Sequence, residues 1–287
     1  MKINQPLSHR NQEPESGVLY LVGTPIGNLD DFSFRALNIL KNVSLIVCED
    51  TRQTKKLMHK FEIKNNLLSF NKHNSFKKIP NLIDALKSGK SIAQVSDAGM
   101  PSICDPGEDL VKNARLHGVD VISIPGPCAP LTAIVASGFP ASKFIFEGFF
   151  PRKKNEREKL LQEISNTEKT TVLFESPLRL KKLIKELKEY CGGRREIYIF
   201  RELTKKYEEH IGNNLDEVME ALKEREVIGE ITVVIKGREI KQNEIFDDLN
   251  LKKELYDLIN AGLSLPSASK YLAKKNNLPK SQIYNLY

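Results

Sequence analysis

Six short segments of the sequence combine glycine, proline, serine and charged residues, and each follows a predicted strand. The first two are GTPIGN (residues 23–28) and CEDTRQT (48–54). The other four are SDAGMPSICDPG (96–107), PGPCA (125–129), ESPLR (175–179) and RELTKK (201–206). Glycine lets a ligand or a second loop approach the backbone, and proline presets the loop shape. Each segment alone is also typical of an ordinary turn. Six such segments, each after a strand, predict a ligand-binding site at the edge of the sheet where the strands end.

The ligand class follows from what these segments lack. The first loop does not match G-x-G-x-x-G, and no G-K-[ST] follows it, so both standard phosphate-binding loops are excluded on spacing. No segment places a lysine beside a phosphate cradle. A carboxylate such as Asp97 or Asp50 accepts hydrogen bonds from a ribose or an α-amino group. The edge therefore suits a phosphate-free nucleoside, a description that S-adenosylmethionine meets.

The elements that position these segments alternate between strand and helix patterns. Between residues 18 and 124 the alternation predicts a mostly parallel sheet with helices on its faces, and after residue 168 it continues less regularly. The predicted strands are 18–22, 43–47, 91–95, 119–124, 170–174, 196–200 and 230–235. The predicted helices are 33–41, 52–60, 79–87, 107–117, 155–165, 177–190 and 215–223.

Four regions follow from this pattern. They are a disordered leader (1–17), an N-terminal α/β domain (18–127), a C-terminal α/β domain (128–240) and a small helical tail (241–287). Residues 149–156, polar and proline-bearing, are a further candidate boundary. In the tail, a helix at 268–275, a turn at 276–278 and a last helix from Lys280 resemble a helix-turn-helix.

Composition narrows the class of protein. The 287 residues are 40% hydrophobic and 28% charged, as expected of a soluble globular protein. No apolar stretch is long enough for a membrane span or a signal peptide, which favours the cytoplasm. The four cysteines lie far apart and no C-x-x-C occurs, so we expect reduced, mostly buried thiols and no metal site. The net charge of +7 is a weak indication of an acidic partner such as RNA.

Seven motifs in order resemble one family. They are VGTPIGNLDDFSFRAL, CEDTRQTKKLM, SDAGMPSICDPG, IPGPCA with SGFP, FEGFFPRKK, VLFESPLRL and RELTKKYEE. Together they resemble the small-subunit ribosomal RNA methyltransferases of the tetrapyrrole-methylase-like superfamily, the class III S-adenosylmethionine-dependent methyltransferases. The similarity runs from about residue 18 to 237, and the helical tail also resembles that of the family.

The resemblance implies a two-domain α/β enzyme that binds S-adenosylmethionine between its domains. It implies transfer of a methyl group to the ribose 2′-oxygen of a cytidine in the decoding region of 16S rRNA, in the small ribosomal subunit, by a cytoplasmic homodimer. The family usually has threonine where this chain has Met100. No charged group is lost by this change, so we expect it to be tolerated.

Site residues follow from the loops and the resemblance. The candidates for cofactor binding are Ile26, Gly27, Asp97, Ala98, Gly99, Cys128, Ala129, Glu175 and Thr204. A general base contributes about 10²–10⁴-fold to proton transfer, and the candidates are Glu49, Asp50, Glu202 and Lys205, with Asp97 and Glu175 also possible. Each carboxylate is equally explained as the partner of a nearby arginine, so the sequence selects no single base.

RNA contacts are expected where basic residues cluster beside the predicted cleft. The candidates are Arg152, Lys153, Lys154, Arg157, Arg179 and Lys182. Phosphate neutralisation by such residues positions RNA without reading its sequence, and a solvated lysine surface is the alternative. Two other functions stay open at this point: a small-molecule porphyrinoid methylase, and a DNA-binding regulator acting through the C-terminal helices.

Overall fold

The structure is a computed structural model that describes residues 13–104, 107–239, 242–276, 278 and 280–287. It divides into two compact units, residues 1–237 and 238–287. The first unit contains two five-stranded sheets, and the second contains only helices within its described residues.

The first sheet is parallel throughout. Its strands are β1 (Leu19–Val22), β2 (Leu45–Cys48), β3 (Leu67–Ser69), β4 (Ile92–Val95) and β5 (Val121–Ile124), in the order β3-β2-β4-β1-β5. Four of them were predicted. β3 was missed because its three residues, Leu-Leu-Ser, are too few to show a pattern.

Helices cover both faces of this sheet, as predicted. They are α1 (Phe34–Asn42), α2 (Thr51–Lys60), α3 (Ser75–Lys87) and α4 (Glu108–Leu116). Tyr20 packs on the face with α1 and α2, and its neighbour Leu19 packs on the opposite face with α3 and α4, because successive strand residues point to opposite sides. α3 begins four residues before its predicted start and contains Pro80, since its buried apolar side chains outweigh one missing hydrogen bond.

The second sheet is mostly antiparallel, in contrast to the first. Its strands are β6 (Phe144–Phe149), β7 (Thr170–Glu175), β8 (Glu196–Arg201), β9 (Glu209–Asn214) and β10 (Ile231–Ile235), in the order β6-β7-β10-β8-β9. Only β6 and β7 are parallel, and the other three pairings are antiparallel. Strand direction depends on which strands become neighbours, and the local pattern does not contain that information.

The helices of this half are α5 (Ala129–Ser137), α6 (Lys154–Asn166), α7 (Pro177–Cys191) and α8 (Leu215–Ala221). α6, α7 and α8 cover one face of the second sheet. α5 packs on the other face, where Ala133 and Ile134 contact Val172, Phe200 and Val234. Complete burial of a valine, isoleucine or phenylalanine side chain stabilises the fold by about 1.5–3 kcal/mol.

The C-terminal unit contains α9 (Gln242–Asn260), α10 (Leu265–Asn276) and α11 (Lys280–Tyr284). Leu255, Leu272 and Ile283, one from each helix, are fully buried in a cluster of their own. The predicted helix at 268–275 and the last helix from Lys280 match α10 and α11.

The structure shows specific contacts at two of the predicted boundaries, the end of the leader and residues 149–156. Most of the predicted leader, residues 1–12, lies outside the described residues. Glu13 accepts hydrogen bonds from Arg35, and the backbone N–H of Gly17 donates to Gly89 O at 3.1 Å. Residues 149–156 join β6 to α6, both of which pack with the second sheet, so a boundary there would separate β6 from its own sheet. The other predicted limits stay predictions.

Candidate functional site

The loops that follow β1, β4 and β5 contact one another through their backbones. Thr24 and Gly99 form a two-way bridge, with N···O distances of 2.9 and 3.1 Å. Gly99 adopts a left-handed φ of +78°, which favours glycine. Gly23 and Gly126 lie back to back, and a Cβ on either would be 2.7 Å from the Cα of the other. These glycines bring three loops together at the carboxyl edge of the first sheet.

The loop after β8 packs onto the loop after β1. The backbone N–H of Asn28 donates to Thr204 Oγ1 at 3.0 Å. A Cβ on Gly27 would lie 2.8 Å from Thr204 Oγ1 and 3.0 Å from Leu203 O. Ile26 is buried with Phe200 and Leu203 in the cluster beneath. Sequence reasoning assigned the space beside Gly27 to the ligand. In the structure, residues from the second half of the unit fill it.

Two open clefts lie at the carboxyl edge of the first sheet, and they share Asp97. The larger, about 490 Å³, is lined by Glu49, Asp50, Thr51, Arg52, Ser69, Asn71, Lys72, His73 and Asp97. The smaller, about 310 Å³, is lined by Pro25, Ile26, Gly27, Leu29, Gln53, Thr54, Lys56, Leu57, Lys60, Ser96, Asp97 and Ala98. Their walls are the loops after β1, β2, β3 and β4 together with α2.

Asp97 and Asp50 differ in their electrostatic surroundings. Burial raises the pKa of Asp97, and the nearby Asp50 carboxylate raises it further, although the Asp50 N–H donates to Asp97 Oδ1 at 3.2 Å. The pKa of Asp50 is lowered to about 2, chiefly by hydrogen bonds from the Arg52 side chain and backbone. Asp50 also caps α2. Because its pKa is higher, Asp97 is the stronger base of the two.

The RELTKK segment contains a compact ion-pair cluster. Lys205 Nζ lies 2.8 Å from Glu202 Oε1 and 3.0 Å from Glu230 Oε2. Burial lowers the pKa of Lys205, but these two carboxylates outweigh it, and the net pKa is raised. Burial likewise raises the pKa of Glu202, yet hydrogen bonds from Lys205 and the Glu230 N–H bring the net pKa below its usual value. In this geometry Lys205 holds its proton and Glu202 is a weak base.

Glu175 is buried at the end of β7 and serves a local ion pair. It lies 2.5 Å from Arg179 Nη2 and accepts from the Ser176 N–H at 2.6 Å. Burial raises its pKa, which Arg179 partly opposes. Glu175 lines neither of the two clefts. Arg179 also donates to Phe150 O at 3.3 Å, so this arginine is engaged in packing the second sheet.

The structure brings together part of the predicted cofactor set. Ile26, Gly27, Asp97 and Ala98 line the smaller cleft, and Gly99 is hydrogen-bonded to Thr24 in the loop after β1. Thr204 contacts that wall from the second half of the unit. Cys128 and Ala129 begin α5 and lie outside both clefts. Of the predicted bases, Glu49 and Asp50 line the larger cleft, whereas Glu202 and Lys205 pair with each other.

The predicted RNA contacts on α6 and α7 are mostly paired with carboxylates. Lys153 pairs with Glu156 and Lys154 with Glu158. Arg157 pairs with Glu186 of α7, is 14% exposed and lies over the Phe150 ring. Arg152 and Lys182 are exposed. Arg157 and Arg179 therefore join structural elements in this geometry, and RNA binding by the others stays a prediction.

Sequence reasoning missed the contribution of α2 and of the segment after β3. Lys56 and Lys60 line one cleft, and Lys72 and His73 line the other. The available signal was the α2 sequence TRQTKKLMHK, which has no acidic residue. The segment after β3 gave no signal because the strand before it was not predicted.

All four cysteines are free; Cys48 is buried, and Cys104, Cys128 and Cys191 are half-buried. Within the described residues, no three His, Cys, Asp or Glu side chains are grouped to hold a metal ion. The metal-free mechanism stays a prediction. None of the described helices is long and apolar enough to span a bilayer.

Comparisons with known proteins match this architecture. The family described as Tetrapyrrole (Corrin/Porphyrin) Methylases matches residues 18–219. The chain is 42% identical over 281 residues to ribosomal RNA small subunit methyltransferase I of Bacillus subtilis (strain 168), covering 96% of both chains. It is 48% identical over 223 residues to the protein of the same name from Thermotoga maritima, covering 78% of this chain and 100% of that protein.

Solved structures show the same fold at low identity. The methyltransferase CobJ aligns with a TM-score of 0.59 at 17% identity, covering 79% of this chain and 98% of that one. Uroporphyrin-III C-methyltransferase from Thermus thermophilus, in complex with S-adenosylhomocysteine, aligns with a TM-score of 0.52 at 18% identity, covering 75% and 96%. The chain therefore belongs to the tetrapyrrole methylase family, and within it to the group of ribosomal RNA small subunit methyltransferase I proteins.

Proposed function

We propose that this chain transfers a methyl group from S-adenosylmethionine to the ribose 2′-oxygen of a cytidine in the decoding region of 16S rRNA. The observation that carries the proposal is the similarity to relatives named for small-subunit rRNA methylation, at about 40% identity over nearly the whole chain. A homodimer located in the cytoplasm, acting on the rRNA or on the small subunit, is part of the same proposal.

The smaller cleft has the chemistry that S-adenosylmethionine requires. Ile26 and Ala98 supply apolar wall, and Asp97 supplies an acceptor for a ribose hydroxyl or an ammonium group. The cofactor, when bound, supplies an electrophilic methyl group on a positively charged sulfur. The proline- and glycine-rich loops then hold reactant and acceptor in a fixed geometry, and such positioning accounts for much of the rate in transfer reactions.

Proton removal from the ribose hydroxyl falls to a carboxylate in this proposal. The high pKa of Lys205 keeps it charged, and the low pKa values of Asp50 and Glu202 make them poor bases. Glu49 and Asp97 both line the larger cleft and are the candidates that these pKa arguments leave. Because Asp97 is assigned to the cofactor in this proposal, Glu49 is the proposed base. Arg52, at the rim of that cleft, is 87% exposed and is placed to meet a phosphate of the substrate.

The two rival functions have less support. A porphyrinoid methylase would share the fold, but the solved porphyrinoid enzymes are only 17–18% identical to this chain, which is evidence for the fold alone. A DNA-binding regulator would account for α10 and α11 but not for the clefts of the first unit.

The test is methyl transfer from labelled S-adenosylmethionine to small-subunit rRNA, uroporphyrinogen and duplex DNA, followed by nucleoside mass spectrometry. The proposal expects label in 2′-O-methylcytidine from rRNA alone, with the Glu49→Gln variant strongly reduced. Label on uroporphyrinogen, or on a base instead of the ribose, would reject it.

A further inference from the structure

We propose that the outer side of α2 and the segment after β3 form the surface that holds the RNA substrate. We call it the α2 surface, and it consists of Lys55, Lys56, His59, Lys60, Lys64, Lys72, His73, Phe76 and Lys77. All nine side chains are exposed. The inference rests on the proposed function for its substrate class, and it moves the main RNA contact away from α6 and α7.

The lysines of this surface lack carboxylate partners. Lys55, Lys60 and Lys64 form no ion pair with any carboxylate in the described part of the chain, and neither do Lys72 and Lys77. Lys56 only donates to the Gln53 side chain at 3.3 Å. Lys56 and Lys60 are one helical turn apart, about 6 Å along the axis, and like charges at this spacing repel. A polyanion would relieve the repulsion.

The position of these lysines connects them to the proposed active site. Lys56 and Lys60 line the smaller cleft, and Lys72 lines the larger one. Both clefts contain Asp97. Lys55 and Lys64 border a third depression, which is also lined by residues of α2. A backbone that follows α2 would therefore lead a nucleotide into the clefts.

An exposed aromatic ring points to single-stranded RNA. Phe76 lies at the start of α3 and is 89% exposed, whereas core positions bury such rings. His73 and Lys77 lie beside it in sequence, and His73 lines the larger cleft. Sequence-specific proteins bind single-stranded RNA by stacking unpaired bases on aromatic side chains. Phe76 is therefore the base-stacking residue of this surface.

The α6 segment supplies a matched control. Lys153, Lys154 and Lys159 are 80–84% exposed, but each pairs with a glutamate three or four residues along the chain. The triple variant Lys55→Gln/Lys60→Gln/Lys64→Gln removes the same charge as Lys153→Gln/Lys154→Gln/Lys159→Gln. Net charge alone would make the two triple variants equivalent.

The experiment measures the affinity of the full-length chain for a fragment of small-subunit rRNA as a function of salt. Each lost phosphate contact lowers the log–log slope by about 0.7–0.9, so the α2 triple variant should lose about two to three units of slope. The α6 triple variant should lose less than one. If the α2 triple variant fails to fold, the single variants Lys55→Gln and Lys64→Gln should each lose about one unit. Equal slopes for both triple variants would overturn the assignment.

A second arm tests stacking. Phe76→Trp keeps a ring and should retain affinity, whereas Phe76→Leu keeps apolar volume and should lose about 5- to 100-fold. Equal affinity of the two variants would exclude stacking. Methyl transfer by the wild type distinguishes failure of the α2 surface from failure of the proposed function. If the wild type methylates rRNA but the α2 triple variant binds RNA normally, the assignment of the α2 surface is wrong. If the wild type binds RNA through the α2 surface but methylates none, the proposed function is wrong.

Discussion

The carboxyl edges of the two sheets carry similar polar loops but have different structures. At the first sheet, glycine backbones touch, and the charged side chains of Asp97 and Arg52 line an open cleft, although Arg52 also pairs with Asp50. At the second sheet, the charged side chains neutralise one another, as Glu175 does with Arg179 and Glu202 with Lys205. The first edge therefore presents groups to a ligand, and the second fixes the fold that supports it.

The largest expected effect tests the backbone contact at the first edge. Gly126→Ala would place a Cβ 2.7 Å from Gly23 Cα, and because neither backbone can move freely, we expect a loss of about 3 kcal/mol or more in the free energy of unfolding. Gly118→Ala is the control, since a Cβ there meets nothing within 4 Å and only its φ of +72° is strained, at a cost of about 1–2 kcal/mol. Urea denaturation compares them; equal losses would contradict the role of the contact.

The next effect tests the ion pair at the second edge. Arg179→Ala leaves the buried Glu175 carboxylate without its partner, and we expect a loss of about 2 kcal/mol near neutral pH, discounted because Arg179 is 30% exposed. Burial already raises the pKa of Glu175, and removing Arg179 raises it more. The loss should therefore be greatest above that pKa and shrink as acid protonates Glu175.

The double variant Glu175→Gln/Arg179→Ala is the control for this pH dependence. Its stability relative to Glu175→Gln should not change between mildly acidic and neutral pH. Should Arg179→Ala alone show the same flat profile, the pair would not stabilise the second edge by charge.

A smaller effect tests the ligand-facing role of Asp97. Asp97→Asn keeps the shape of the side chain and removes its charge, so S-adenosylmethionine should bind about 10- to 100-fold more weakly by calorimetry. Because burial raises the Asp97 pKa, wild-type affinity should fall as pH decreases through that pKa. The variant should show no such fall, and unchanged affinity would place the cofactor elsewhere.

The smallest effect concerns the C-terminal unit. Its buried cluster contains only residues from α9, α10 and the sequence after them, and the clusters of the first unit contain none of these. A chain ending at residue 237 should therefore bind S-adenosylmethionine within about twofold of the full chain. A reduced activity on ribosomal subunits with intact cofactor binding would assign the tail to substrate docking.

Local pattern was sufficient for part of this fold. The apolar runs at β1, β2, β4 and β5 and the loops after them were identified in sequence, because parallel buried strands are short and continuously apolar. β9 was missed because EHIGNN is polar and lies at the edge of the sheet. α5 was missed because APLTAIVAS is mostly apolar and lacks the polar face of an amphipathic helix.

The site was less predictable than the fold for a physical reason. Glu186, the partner of Arg157, is 29 residues away, and Lys205 pairs with Glu230 across 25 residues. A basic residue in sequence does not reveal whether a distant carboxylate neutralises it. The lysines of α6 differ, because each pairs with a glutamate only three or four residues along the chain. Their neutralisation was visible in the sequence, and the clustering of basic residues nevertheless favoured them as RNA contacts over the lysines of α2.

The most direct test is nucleoside mapping of small-subunit rRNA from cells that lack this chain. We expect one ribose-methylated cytidine in the decoding region to lose its 2′-O-methyl group. The wild-type gene should restore this methylation, and a Glu49→Gln copy should do so poorly. An unchanged methylation pattern in the decoding region would contradict the proposed activity, however well the protein binds S-adenosylmethionine.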